Sequence, residues 1–270
     1  MKLSFEINNK KHFIKTEDAI DISIAMNFNG PQPSSYHVPA AHSNAYRDGS
    51  FVGDTRQGGG CNFETITITP HCNGTHTECI GHITNERMMI HELLEIDLLP
   101  SLLLTVKPMK AKYCDEKYDP ELNENDLVIT AKELGEKCGR ALFEGMSALI
   151  IRTTPNKENK LSMNYAENES AFFTNDAMEY LNKINIDHLL VDLPSIDRAH
   201  DEGKLSNHHI FWNIEQGSHD VNITSMTHKT ITEFIYVANN VSDGKYLLDI
   251  QIPPFMADAA PSKPIIYPIR

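Results

Sequence analysis

The sequence predicts a mixed α/β protein with a largely β core. Two observations carry this: strand-like runs outnumber helix-like runs, and the helix-like runs cluster in the middle of the chain. No repeat or low-complexity tract interrupts the 270 residues, and a single domain spanning 1–270 is expected.

The elements follow in order. "KLSFEI" alternates apolar and polar residues and can pair with "KHFIKT" as a hairpin across "NNK". "AIDISIAM" reads as a third strand. Residues 27–60 are rich in Gly, Pro, Ser and Asn and read as a long irregular segment. Such a segment is usually functional or disordered. Its Phe28, Tyr36, Tyr46, Phe51, His37 and His42 fit a lining or cover, and a surface excursion is the bland alternative. "NFETITITPH" alternates as a strand, and "NERMMIHELLEIDLL" has helix-like spacing. "SLLLTVKP" and "SALIIRT" read as buried strands. Between them "DLVITAKELGEKCGRAL" is a strand end followed by a helix, with Thr130 as N-cap and Glu133 completing a capping box. "FTNDAMEYLNKINIDHLLVDLPSID" repeats the theme, with Thr174 or Asn175 as cap and a strand ending at Asp192, Ser195 and Asp197. "TITEFIYVANNVSDGKYLLDIQIPP" reads as strands around "SDGK", and "PIIYPI" as a last strand.

Composition narrows the function. A formal net charge of −13 repels phosphate backbones and argues against nucleic acid as the main partner. No run approaches a membrane span, and the N-terminus lacks the pattern of an export signal. Five cysteines, an odd count in a long chain, fit reduced thiols, so a cytoplasmic location is expected.

The chemistry concentrates in "PHCNGTHTECIGH", which packs three histidines, two cysteines and a glutamate into thirteen residues. Thiolate, imidazole and carboxylate are the usual donors to a divalent metal. Cys72, His76 and Glu78 can converge where the chain leaves a strand through the Asn73-Gly74 bend. On an alternating strand His71 points opposite to Cys72, which gives it a structural or supporting role. Cys79 reads as a small buried thiol, and His82 as a further ligand or a proton-transfer group. A strand-to-loop corner with chance histidines is the plain alternative.

"CNGTHTECIGH" resembles the metal-binding signature of the cyclase-like family that includes kynurenine formamidase and isatin hydrolase. That signature runs His-x-Gly-Thr-His-x-Asp-x-Pro-x-His. Gly74, Thr75, His76 and His82 match in place, whereas Cys72 replaces the first histidine and Glu78 the aspartate. Ile80 and Gly81 stand where the family carries proline. "VDLPSID", "SNHHIFW" and "TITEFIYVAN" resemble its later motifs, so the similarity runs from about the second strand onward.

The resemblance implies a swivelling β/β/α fold and symmetric oligomers, a homodimer or homotetramer. It also implies one or two ions, with zinc expected ahead of manganese. Cys72, His76 and Glu78 would hold one ion; Glu78, His208 and Glu233 would hold a second. His208 is preferred to His209, and His82 takes the catalytic place. A thiolate at Cys72 would favour zinc and weaken its Lewis acidity; Glu78 reaches one methylene further than aspartate. The implied activity is hydrolysis of an amide-type C–N bond in a small-molecule substrate by a metal-activated water, with His82 as general acid/base and loop aromatics against a flat ring. The two replacements keep open an altered family member that only binds metal or a small ligand. A zinc protease of the His-Glu-x-x-His type is disfavoured, since the chain lacks that motif.

Overall fold

Leu99–Val106, Ala148–Thr153 and His188–Val191 are largely apolar on both faces, which suits strands covered on both sides. They lie inside a nine-stranded sheet in the computed structural model, which describes residues 1–270 except 8, 95–97, 140 and 143–144. Across the sheet the order is Ala259–Pro261, His76–Cys79, Thr230–Glu233, His188–Val191, Ala148–Thr153, Leu99–Val106, Gly244–Gln251, Lys263–Pro268 and Ile20–Asp21. The strands from Thr230–Glu233 to Leu99–Val106 run parallel, and the outer pairings are antiparallel.

Parallel neighbours need crossover connections. Ala131–Cys138, Asn175–Lys183 and Ser206–Trp212 supply the helices of these crossovers, which is why the helices cluster in mid-chain. They cover one face, where Leu102, Leu104, Leu149, Ile151, Leu189, Val191 and Ile231 point. The alternate residues Leu103, Ala148, Ile150 and Leu190 point the other way, against Ile22, Tyr246, Leu248 and Ile266. The architecture is the mixed α/β one expected, with its core largely β.

Local expectations meet the structure unevenly. The hairpin pairs Lys2–Ile7 with Lys10–Lys15; Asn8, in its expected turn, lies outside the described residues. Thr130 Oγ1 accepts from the Glu133 amide at 3.1 Å, but the Glu133 carboxylate accepts from the Lys107 amide, so the capping box is half made. Thr174, not Asn175, caps the next helix through the Ala177 amide. Of "AIDISIAM" only Ile20–Asp21 is strand; the Ile22 amide binds Pro264 O and the Ile24 amide binds Thr75 Oγ1.

The helix expected over residues 85–99 shrinks to Ile90–Leu93, and Leu99 already begins a strand. The Ile90 amide is taken by Ala257 O from the distant tail, so tertiary bonds override the local spacing; residues 95–97 lie outside the described residues. The segment read as irregular contains the strand His42–Ala45, which pairs with Glu64–Thr67. All five cysteines are free. Among the described residues no helix is long and apolar enough to cross a membrane.

Candidate metal centre

Strand register builds the inner part of the site. His76 and Glu78 are two apart on His76–Cys79, so the pleat sends both side chains to one face. Glu233 stands directly across from His76, and Ile231 across from Glu78. Since Ile231 belongs to the helix-side core, all three polar side chains point toward the helices. Thr77 and Thr232 pair on the opposite face through their hydroxyls at 2.8 Å.

The bend before this strand is glycine-dependent. Gly74 has φ +91°, and a Cβ there would collide with Met26 Sδ. Thr75 then donates its hydroxyl to Phe234 O at 2.6 Å, tying the bend to the end of the Glu233 strand. Phe234 and Leu205 are non-glycine residues at positive φ, and they flank Glu233 and the His208 helix. Such strain clusters where surrounding contacts hold a functional geometry.

His208 arrives on Ser206–Trp212, a helix too short to stand alone. Phe211 and Trp212 are fully buried, each stabilising its position by about 1.5–3 kcal/mol. The Asp197 carboxylate accepts from the Asn207 and His208 amides at 2.9 and 3.2 Å. The same carboxylate lies 2.6 Å from His208 Nδ1, leaving Nε2 at 3.0 Å from Glu78 Oε1. His209 instead packs toward His219, 6.3 Å between ring centroids.

His71 departs from expectation. It lies on the 3₁₀ turn Pro70–Cys72, where strand alternation does not apply. Its Nδ1 is 2.8 Å from Glu78 Oε2 and its Nε2 is 2.7 Å from Asp258 Oδ2. His82 stacks on it at 4.1 Å between centroids, with Nδ1 3.5 Å from Asp258 and Nε2 3.9 Å from Glu78. Asp258 escaped the sequence reading, because nothing in "FMADAA" marks an acid meeting histidines so distant in the chain.

Electrostatics bind the cluster together. Burial opposes the charge on Glu78, yet His82, His208 and His71 outweigh it and hold the carboxyl well below its ordinary range. Burial likewise opposes protonation of His71, but Asp258 and Glu78 raise it to about 10. His208 is raised well above its usual value by Asp197 and Glu78 against the same penalty. Hydrogen bonds from His71 and His82 hold Asp258 down. Burial raises the Cys72 thiol, and pushes Cys79 up to about 12.

The donors suit a divalent cation. Among the described residues His76 Nε2 is buried without a hydrogen-bond partner, 3.5 Å from Glu233 Oε2. Among the described residues three groups have ligand atoms within 4.8 Å of one another: His71, His76 and Glu78; His71, His82 and Asp258; and Glu78, His82 and His208. Imidazole and carboxylate together fit zinc or manganese. Cys72 and Glu233 stand outside these groups, though both line the same cavity of about 390 Å³. Tyr36, Pro194, Ser195 and Leu205 also line it. Of the loop aromatics, Tyr36 thus reaches the cavity, whereas Tyr46 and Phe51 cluster with Phe63.

Comparison with known proteins agrees with this architecture. Residues 2–198 match the family described as "Putative cyclase". Isatin hydrolase bound to the product analogue thioisatinate superposes with a TM-score of 0.61 at 12% identity, covering 94% of this chain and 93% of that one. A "predicted metal-dependent hydrolase" from Bacillus stearothermophilus gives 0.59 at 16% identity, covering 92% and 97%. Isatin hydrolase A from Labrenzia aggregata, bound to benzyl benzoate, gives 0.58 at 12% identity, covering 92% and 93%. No curated protein matches the chain. At these identities the structures share the fold, the swivelling β/β/α class that the family resemblance implies.

Proposed function

The chain belongs to the cyclase family, and from that premise we propose that it is a metal-dependent hydrolase of an amide-type C–N bond. An N-formyl amide, a lactam or a related cyclic compound is the substrate class. The observation that carries the reading is Glu78, buried and ringed by His71, His82 and His208, beside the unpartnered Nε2 of His76. His76, Glu78, His208 and Glu233 are the residues we assign to the cation. When bound, zinc or manganese supplies Lewis acidity toward a water nucleophile and the carbonyl it attacks.

The remaining work falls to the chain. Glu78 offers one carboxylate oxygen to each side of the site and fixes the negative charge that keeps a cation in place. Asp197 holds the His208 ring, so its Nε2 faces inward. His82 is partly exposed to the cavity, and Asp258 steers its ring. It takes a proton from the attacking water as the C–O bond forms, then delivers it to the nitrogen as the C–N bond breaks. Tyr36, Pro194 and Leu205 offer an apolar wall to a planar substrate. A symmetric homodimer or homotetramer in the cytoplasm accompanies this reading.

The test is turnover over a panel of N-formyl, lactam and lactone compounds. The protein is assayed as purified, after chelation, and after return of Zn²⁺ or Mn²⁺. Activity lost on chelation and restored by metal is expected. Metal binding without turnover anywhere on the panel would replace hydrolysis with the metal- or ligand-binding alternative.

A further inference from the structure

Two chains of alternating carboxylate and imidazole converge on Glu78. On one side Asp197 Oδ2 is 2.6 Å from His208 Nδ1, and His208 Nε2 is 3.0 Å from Glu78 Oε1. On the other, Asp258 Oδ2 is 2.7 Å from His71 Nε2, and His71 Nδ1 is 2.8 Å from Glu78 Oε2. The halves repeat one pattern: an outer carboxylate, a ring, and the shared inner carboxylate. Metal-ligating histidines are characteristically built this way. The outer carboxylate takes the proton of one ring nitrogen, fixes the tautomer, and leaves the other nitrogen for the ion.

We propose that His71, oriented by Asp258, supplies the nitrogen ligand at the place where the spacing of the motif points to Cys72. The inference rests on the metal-binding reading above. Donors at about 2.0–2.2 Å from one tetrahedral ion lie roughly 3.3–3.6 Å apart, and the His71–Glu78 separation of 2.8 Å puts the two atoms within about an ångström of that spacing. His71, His76 and Glu78 form one of the groups with mutually close ligand atoms, whereas Cys72 Sγ belongs to none among the described residues. The unpartnered Nε2 of His76 is a second donor in the same group.

Sequence register explains the shift. Cys72 closes the 3₁₀ turn and His71 sits at its middle, so the turn brings the earlier residue over Glu78. Cys72 remains on the cavity wall as a small side chain. The ligand set becomes nitrogen and oxygen only, which removes the bias toward zinc that a thiolate would impose.

The experiment uses the full chain stripped of metal and titrated with Co²⁺, read by absorption, and with Zn²⁺, read by calorimetry. The wild-type Co²⁺ complex is expected to lack a thiolate-to-cobalt charge-transfer band, an outcome that needs no variant to fold. Cys72→Ser is expected to stay within about threefold of wild type in affinity. Asp258→Asn should weaken binding by about 10–100-fold, and His71→Ala by at least as much. A charge-transfer band abolished by Cys72→Ser would overturn the assignment and leave the metal-binding reading standing. Absence of any Co²⁺ or Zn²⁺ binding by the wild type would overturn both. Melting curves of each stripped variant separate lost ligands from lost folding.

Discussion

Replacing Glu78 by glutamine tests the organisation of the site most directly. The side chain is 1% exposed and keeps its shape, but the charge that holds two imidazoles is gone. His71 and His208 each lie within 3.0 Å of one of its oxygens. A hydrogen bond to a charged group contributes about 1.5–3 kcal/mol, so two give roughly 3–6 kcal/mol at most. Part is recovered, because a ring that loses its carboxylate can shed its proton, and the buried amide still accepts one bond. The metal-free variant should therefore lose about 2–4 kcal/mol. At about 2–4 °C per kcal/mol for a chain of this size, its Tm should fall by roughly 4–16 °C. The assay is thermal unfolding by circular dichroism in the presence of chelator, near neutral pH, alongside Zn²⁺ affinity by calorimetry. The affinity should drop by two orders of magnitude or more, since the shared anionic ligand is lost. A variant melting within 1–2 °C of wild type, or binding Zn²⁺ equally well, would refute the central place given to Glu78.

Other substitutions and conditions probe separate parts. His82→Ala should retain bound metal, measured by elemental analysis, while turnover of any hydrolysed substrate falls by about 10²–10⁴; loss of metal would make His82 a ligand instead. Metal binding should release protons, because His71 is held protonated up to about 10 and His208 is raised as well. Affinity measured between pH 6 and 9 should therefore rise with pH, by about a decade per unit for each proton displaced; a flat profile contradicts this. In metal-free protein the raised His71 contributes stability that is full below its unfolded value near 6.5 and is lost as pH climbs through about 10. Asp258, held low, contributes above about pH 4 and loses that contribution on acidification, so chelated protein should melt lower at both extremes. Gly74→Ala should cost about 1–3 kcal/mol, from positive φ and from contact with Met26; denaturant unfolding with an unchanged midpoint would remove the conformational argument.

By itself the sequence determined what the pleat and the turn dictate locally. His76 and Glu78 share a face because they are two apart on a strand, and Gly74 marks the bend because its conformation is left-handed. Thr130 and Thr174 announced their helices because a capping hydroxyl reaches only as far as the first turn. Glu233 and His208 were assigned to the site from a resemblance; the structure sets Glu233 opposite His76 and His208 against Glu78. Tertiary structure alone decided the direction of His71, since a 3₁₀ turn and an extended strand aim the same residue differently. It alone brought Asp258 to His71, 187 residues away, because the tail strand Ala259–Pro261 pairs beside His76–Cys79. It also cut the helix expected over residues 85–99, where the backbone found its partner in that same tail. Local pattern fixes which face a side chain takes on a given element; only long-range pairing fixes what it meets there.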